Sequence, residues 1–131
     1  MQGQRLYKCE KLCSRTAIER LFGEGNSAIA FPLRAVYRFH DSGESPARFL
    51  ITIPKKRIRH AVERVLLRRR VREAYRLCRR QVLYPALTTA DISADIAFHY
   101  LSNDIADYHT IAEKMNLLLE RIAQEATDNN A

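Results

Sequence analysis

The apolar positions of this chain follow two different periods, and each change of period marks a new element. Near the start, a serine that can cap a helix precedes apolar residues at helical spacing, and two glycines follow them. These residues are Ser14, Ala17, Ile18, Leu21 and Phe22, with Gly23 and Gly25 behind them. The pattern predicts a short first helix.

From Leu33 the pattern changes to strict alternation, which is typical of a strand with one buried face. Turn-forming residues at 41–46 separate this strand from a second alternating run at 49–53. The sequence therefore predicts that the two strands pair as an antiparallel hairpin. A shorter extended segment at 28–31, ended by Pro32, adds a small strand before them.

One helix is predicted from His60 to about Leu83. At 100° per residue, one stripe of it is apolar and faces the core. This stripe consists of Leu67, Val71, Ala74, Tyr75, Cys78 and Val82. Six arginines share a flank of the same helix, namely Arg68, Arg69, Arg72, Arg76, Arg79 and Arg80. After Tyr84 and Pro85 a polar connection is expected.

Alternation at 96–100 predicts a further strand, and Asp107 can cap a last helix with apolar residues from 108 to 122. The tail at 126–131 is expected to be disordered. The predicted fold is α+β, in the order helix, three strands, basic helix, strand and helix. A small mixed four-stranded sheet packed by helices is expected, as in ribosomal-protein-like RNA-binding domains. Residues 1–131 are predicted to form one such domain.

The positive charge of the chain is concentrated in one segment. The formal net charge is +7, yet residues 55–80 hold twelve cations and two acids, and the rest of the chain sums to −3. A concentrated cationic surface releases condensed counterions when it binds phosphates. A polyanion is therefore the predicted partner.

The arginine flank of the basic helix has a plain explanation and a functional one. A solvated helix face is the usual explanation for a run of charges. Here acidic partners are nearly absent, and arginine, which can contact phosphate through two donors, replaces lysine almost throughout. We therefore expect this helix to bind nucleic acid.

The sequence contains no pattern typical of a metal site or of a catalytic centre. The three cysteines lack the spacing of zinc ligands and are expected to be reduced thiols. No compact set of carboxylates is visible, since the pairs Asp91/Asp95 and Asp104/Asp107 are expected to be loop and cap residues. Because neither a membrane span nor a secretion signal is present in the pattern, we expect a cytoplasmic protein with no membrane partner.

Residues 61–76 of the basic helix read AVERVLLRRRVREAYR and follow Lys55 and Lys56. This segment closely resembles the signature of the protein subunit of bacterial ribonuclease P. The family signature reads Ala-Val, any residue, Arg-Asn, two residues, Lys-Arg, two residues, Arg-Glu and often a further Arg. Direct matches are Arg64, Arg69, Arg72, Glu73 and Arg76, and Arg68 replaces Lys with the charge kept. Phe22 and Gly25 resemble the end of the family's Phe-x-x-Val-Phe-x-x-Gly helix.

Two positions depart from the family pattern. Val65 stands where the family commonly has Asn, and valine can neither donate nor accept a hydrogen bond, so any contact of that Asn with RNA is missing or replaced. Ile18 stands where many members carry the first Phe of the amino-terminal motif, so it offers no ring for stacking with a base.

The resemblance implies an endoribonuclease that works as a ribonucleoprotein. The protein would bind the catalytic ribonuclease P RNA and, in a cleft between the sheet and the first helix, the single-stranded 5′ leader of precursor tRNA. Cleavage would be carried out by the RNA with Mg²⁺ that the RNA holds, so no catalytic residue and no metal ligand is expected in the protein. The expected RNA-binding residues are Lys55, Lys56, Arg57, Arg59, Arg64, Arg68, Arg69, Arg72 and Arg76. Candidates for leader binding are Ile18, Phe22 and Tyr37.

The strand aromatics leave two explanations open. Tyr37, Phe39, Phe98 and Tyr100 could offer their rings to splayed bases, or they could pack in the core.

Two other functions also stay open. One is a ribosome-associated RNA-binding protein without enzymatic activity. The other is a DNA-binding regulator, although a strand that ends at Pro54 stands where a helix-turn-helix needs a short helix. DNA is therefore not an expected partner.

Overall fold

A four-stranded sheet separates two layers of helices in this protein. The computed structural model describes residue 6, residues 8–41, residue 43 and residues 45–129. The helices are α1 (Arg15–Glu24), α2 (Ala61–Cys78), α3 (Tyr84–Ala90) and α4 (Tyr108–Asn129). The strands are β1 (Asn26–Ala30), β2 (Leu33–Asp41), β3 (Ala47–Thr52) and β4 (Ile92–Tyr100). The predicted α+β class, the mixed sheet and the order of its main elements are confirmed.

The strands lie in the order β1-β2-β4-β3, with β3 and β4 parallel and the other pairs antiparallel. The predicted hairpin of the strands now named β2 and β3 is therefore wrong, because β4 lies between them. Six consecutive residues of β4, from 93 to 98, are buried, and a strand buried on both faces belongs in the centre of a sheet. The connection from β2 to β3 crosses the start of β4, where Ser93 Oγ accepts from Gly43 N and donates to Ser45 O, both at 3.0 Å. Residues 42 and 44 of the predicted turn lie outside the described residues.

The main core lies between the sheet and the pair of helices α2 and α4. At its centre the Tyr75 ring contacts Phe49 at 4.6 Å and Phe98 at 5.5 Å, measured between ring centroids. Helix α1 packs on the opposite face of the sheet, where Leu21 meets Val36 and Ala97 in a smaller cluster. One face of the sheet is thus fully covered and the other only in part.

Both helices predicted at the ends of the chain form as expected. Ser14 caps α1, since its Oγ accepts from Ala17 N at 3.3 Å. The chain then turns tightly at Gly25, where a Cβ would collide with the carbonyl oxygen of Leu21. Asp107 caps α4 and accepts from Thr110 N at 2.8 Å.

The expected polar connection after Pro85 is wrong, because the chain stays helical there. A π-helical turn at Arg79–Leu83 joins α2 to α3. Pro85 lies in the first turn of α3, where no amide donor is needed, and Asp91 ends that helix in the left-handed region, with φ of 56°.

The expected disorder of residues 126–131 is wrong for its first part. Helix α4 continues to Asn129, and Ala126 is buried against the core, which holds the end of the helix in place. Residues 130 and 131 lie outside the described residues. None of the helices described is both long and apolar enough to span a membrane.

Candidate nucleic-acid interface

Helix α2 presents arginines on the side opposite its buried stripe. Leu67, Val71, Ala74 and Tyr75 are fully buried against the sheet and α4. The exposed side carries Arg68, Arg69 and Arg72, together with Val62 and Val65, and we call these five residues the arginine face. Its three arginines form no ion pair with any acidic residue that the structure describes. Their charge is therefore available to a partner.

Two other predicted RNA-binding arginines are engaged within the protein. Arg76 donates to Glu73 through Nε at 2.9 Å and Nη2 at 2.6 Å, and this hydrogen bond lowers the pKa of Glu73. Arg64 Nη1 donates to the carbonyl oxygens of Ile58 at 2.9 Å and Arg59 at 2.8 Å. Arg64 thus ties the segment before α2 to the helix.

The residues from 54 to 59 form a basic loop at the start of α2. The amides of Arg57 and Ile58 both donate to Pro54 O at 3.1 Å, and Ile58 is buried and anchors the loop. Lys55, Lys56 and Arg59 are exposed and Arg57 is half-buried. The structure therefore brings all nine predicted RNA-binding residues into one continuous loop and helix, while their contact with RNA stays a prediction.

Arg79 was expected on the arginine flank, and this expectation is wrong. Its side chain is 0% exposed, and Nε donates to Glu10 Oε1 at 2.7 Å. Tyr84 also donates to this carboxylate, and the Arg79 guanidinium lies 5.6 Å from the centre of the Tyr84 ring. Glu10 and Tyr84 pack against Arg79, and helical periodicity cannot show which distant residue packs on a helix. The ion pair of Arg79 with Glu10 therefore anchors the chain where α2 ends.

A cleft lies on the other face of the sheet, beside α1. Phe22 is 49% exposed, and its ring centroid is 5.5 Å from that of His99 on β4. On β2, Arg34 is the register partner of His99, and on β1, Ile29 is the register partner of Arg34. Both side chains are exposed. Burial, together with the charge of Arg34, lowers the pKa of His99. Ile18 is half-buried and packs into the small cluster under α1.

Tyr37 does not belong to this cleft, so its prediction as a leader-binding residue is wrong. It is 1% exposed on the opposite face of the sheet and donates to Glu125 in α4. Phe39, Phe98 and Tyr100 share that face and pack in the main core. For all four aromatics the core explanation holds, because alternation shows which residues share a face but not which face is buried.

The sequence interpretation missed a second group of cations on the sheet. Arg34 and Arg38 alternate with the core residues of β2, and Arg48 does so on β3. They face α1, and Arg38 and Arg48 line a cavity of about 520 Å³ between the helix and the sheet. The alternation of β2 was a signal for this surface, but charge summed along the chain hides cations that meet only in the folded sheet.

The buried carboxylates of Glu10 and Asp95 hold cations of the protein. Asp95, expected in a loop, is instead a buried residue of β4 that accepts from Arg48 Nε at 3.2 Å and lies 3.1 Å from His40 Nε2. No group of three or more histidine, cysteine or acidic side chains placed to hold a metal ion occurs among the described residues. Where Mg²⁺ is held stays a prediction.

Comparison with known proteins decides the family. A family model described as Ribonuclease P matches residues 6–123. The chain belongs to the ribonuclease P protein family. Two curated proteins named Ribonuclease P protein component, from two strains of Porphyromonas gingivalis, are each 40% identical to it over 119 residues. Each match covers 90% of this chain and 86% of the relative.

Solved structures of ribonuclease P proteins share the fold. The protein from Thermotoga maritima superposes with a TM-score of 0.66 at 26% identity, over 86% of this chain and 96% of that one. The protein from Staphylococcus aureus gives a TM-score of 0.66 at 16% identity, over 88% and 96% of the two chains. The predicted family is thus confirmed.

Proposed function

We propose that this ribonuclease P protein binds two RNAs on two different layers of its fold. The arginine face and the basic loop bind the catalytic ribonuclease P RNA. The cleft between α1 and the sheet binds the 5′ leader of precursor tRNA. The observation that carries this proposal is that both layers hold arginines without an ion pair among the described residues, Arg68, Arg69 and Arg72 on α2 and Arg34 and Arg38 on β2.

The arginine face suits a large folded RNA. Three exposed guanidinium groups lie on adjacent turns of one helix, and the basic loop extends this surface at the helix start. Guanidinium groups contact phosphate oxygens through two donors, without reading base identity. Such a surface binds the shape and charge of an RNA rather than its sequence.

The cleft suits a single strand of RNA. Proteins that bind single strands combine cations for the backbone with ring faces for the bases. Phe22 and His99 supply rings, Arg34 supplies a cation beside them, and Ile29 adds exposed apolar surface. A base that stacks on Phe22 contributes roughly 1–3 kcal/mol.

The chemistry is assigned to the RNA subunit. Bound Mg²⁺ there supplies the activation of water, while the protein contributes affinity for the leader and neutralises phosphates. Because both contributions reduce repulsion between the two RNAs, the protein lowers the Mg²⁺ concentration that leader removal needs.

Reconstitution with the cognate ribonuclease P RNA tests the proposal. Cleavage of precursor tRNA is measured across Mg²⁺ concentrations, with protein, without protein, and with a variant in which Arg68, Arg69 and Arg72 are changed to Gln. We expect the native protein to shift the Mg²⁺ requirement downward and the triple variant to lose this effect. Arg121→Gln, on an exposed part of α4, is the control and should behave like the native protein.

Two results would contradict the proposal. One is an unchanged Mg²⁺ requirement with native protein. The other is recovery of ribosomal RNA, rather than one structured RNA of the ribonuclease P type, with protein purified from cells, which would favour the ribosome-associated alternative.

A further inference from the structure

The chain before α1 runs along one edge of the sheet, and we call its residues 10–14 the strap. At this edge, which β3 forms, Lys11 pairs with Phe49 in a parallel bridge. The Leu12 amide donates to Phe49 O at 2.8 Å. The strap therefore closes the edge as a short additional strand.

The strap links the two layers of helices. Glu10 is 3% exposed and pairs with Arg79, which follows α2, and Tyr84 donates to the same carboxylate. Leu12 lies on the other side of the sheet, in the small cluster under α1 that also contains Leu21. The strap thus joins the end of the helix that carries the arginine face to the helix that forms one wall of the cleft.

The burial pattern of the strap makes its register along β3 decisive. Glu10 and Leu12 are buried, whereas Lys11 and Cys13 are exposed. A shift by one residue would exchange the two sets and bring Lys11 or Cys13 under α1. Backbone hydrogen bonds do not distinguish these registers, because every residue of the strap offers the same donor and acceptor. The register therefore has to be set by a side chain.

The ion pair of Glu10 with Arg79 meets this need. The Arg79 side chain is 0% exposed, and its Nε donates to Glu10 Oε1 at 2.7 Å. In the sequence, Glu10 is the only acidic residue among residues 1–18. Any other register would leave the buried guanidinium without this carboxylate, which is strongly unfavourable.

Helix α1 depends on the strap for its position more than α2 does. Of the ten residues of α1 only Leu21 is fully buried, whereas four residues of α2 are. The end of α1 is tied to β1 at Gly25, whose amide donates to Leu21 O at 2.9 Å. The start of α1 follows the strap directly, since Ser14 is its cap. A strap shifted by one residue would therefore move the start of α1 by about 3.3 Å.

We propose that Glu10 is a positioning residue of the cleft: through Arg79 it fixes the register of the strap, and through the strap it holds the start of α1 in place. The inference rests on the proposed function, in which α1 forms a wall of the cleft. Glu10 itself touches no RNA, so its effect reaches precursor tRNA only through α1. The arginine face is unaffected, because α2 is held by its own buried stripe.

Binding of precursor tRNA and of mature tRNA to the reconstituted holoenzyme tests this inference. Glu10→Ala releases the strap, and Glu19→Ala, exposed on α1, is the matched control. We expect Glu10→Ala to bind precursor tRNA about tenfold more weakly than native protein, and mature tRNA equally well. Glu10→Gln keeps an oxygen that accepts from Arg79 and Tyr84, so it should recover part of the loss. Affinity for the ribonuclease P RNA should be native in all three variants.

Leu12→Ala provides a second test that leaves the ion pair of Glu10 intact. It removes the contact of the strap with the cluster under α1, so the same selective loss on precursor tRNA is expected. Hydrogen exchange reports the position of the strap itself. In Glu10→Ala the amides of Leu12 and of α1 should exchange faster, while those of α2 and β4 keep their protection.

The outcomes separate the role of Glu10 from the function on which it rests. Equal losses on precursor and mature tRNA, or lost protection throughout α2 and β4, would overturn the inference and show that Glu10 only stabilises the fold. A selective loss on precursor tRNA for Phe22→Ala, with none for Glu10→Ala or Leu12→Ala, would overturn the positioning role alone. If Phe22→Ala binds both tRNAs like native protein, the leader cleft fails, and the inference fails with it.

Discussion

Val65 places an apolar side chain in the middle of the arginine face, where the family commonly has Asn. The side chain is 50% exposed, and its neighbour Val62 is 81% exposed. A substitution at 65 therefore leaves the core untouched and reports on RNA binding.

We expect Val65→Asn to tighten binding to a ribonuclease P RNA from a family member that carries Asn, by about 1 kcal/mol for one hydrogen bond. Against the cognate RNA the gain should be smaller, because an apolar ribose or base face against valine would leave the new amide without a partner. Binding isotherms for both proteins with both RNAs measure this difference. Equal effects on the two RNAs would mean that position 65 does not touch RNA.

Tyr84 shows how a single residue links the folded state to pH. Burial, followed by its hydrogen bond to Glu10, raises the pKa of Tyr84 from 10.0 to about 12. Because the folded pKa lies above the unfolded one, this contribution to stability is complete below pH 10 and is lost as the pH rises through 12.

The free energy of unfolding should therefore decrease between pH 10 and pH 12, and Tyr84→Phe should remove part of that decrease, on the order of 2 kcal/mol. Urea unfolding at a series of pH values measures it. If native protein and Tyr84→Phe lose stability in parallel across this range, the Tyr84 hydroxyl does not carry the effect.

At the scale of elements, arginines that look alike in the sequence have different roles in α2 and in the π-helical turn that follows it. Arg68, Arg69 and Arg72 face solvent, Arg64 holds the basic loop, and Arg79 is buried against Glu10. Only the first three have their charge available to a ligand in full.

Single changes of Arg68, Arg69 or Arg72 to Ala should each weaken assembly with the ribonuclease P RNA and reduce the salt slope by about one. Arg64→Ala should weaken assembly as well, through loss of the loop geometry. Affinities at several salt concentrations provide the test, with Arg15→Ala, exposed on α1, as control. Unchanged affinity and slope in all three exposed variants would place the RNA interface elsewhere.

How far the elements could be predicted depended on whether their signal is local. The caps at Ser14 and Asp107 and the buried stripe of α2 were predictable, because each depends on residues within a few positions of one another. The insertion of β4 between β2 and β3 was not, since it joins residues far apart in the chain. The same reason hid the pairing of Arg79 with Glu10.

At the scale of the whole molecule, two cationic surfaces lie on opposite sides of one thin sheet. Charge along the sequence revealed the surface on α2, since its cations are consecutive in one segment. The surface beside α1 needed the folded sheet, because Arg38 and Arg48 come together only across β4. In the proposed function, this arrangement lets one small protein contact the RNA subunit and the leader at once.

Because the proposed function assigns the chemistry to the RNA subunit, we predict that the protein alone has no nuclease activity. Protein purified free of RNA should leave precursor tRNA intact in Mg²⁺, and addition of the ribonuclease P RNA should produce leader cleavage. Gel analysis of the products is sufficient. Cleavage by rigorously RNA-free protein would require a catalytic site among its acidic residues.

Oxidative footprinting of exposed side chains tests the central claim of two RNA surfaces most directly. Val62 and Val65 report on the arginine face, and Phe22 and Ile29 report on the cleft, since all four side chains are exposed in the protein alone. We predict that the ribonuclease P RNA by itself protects the two valines and leaves Phe22 and Ile29 reactive. Precursor tRNA should then protect Phe22 and Ile29, whereas mature tRNA without a leader should not. Protection of both surfaces by the RNA subunit alone, or no protection of Phe22 by the leader, would contradict the account.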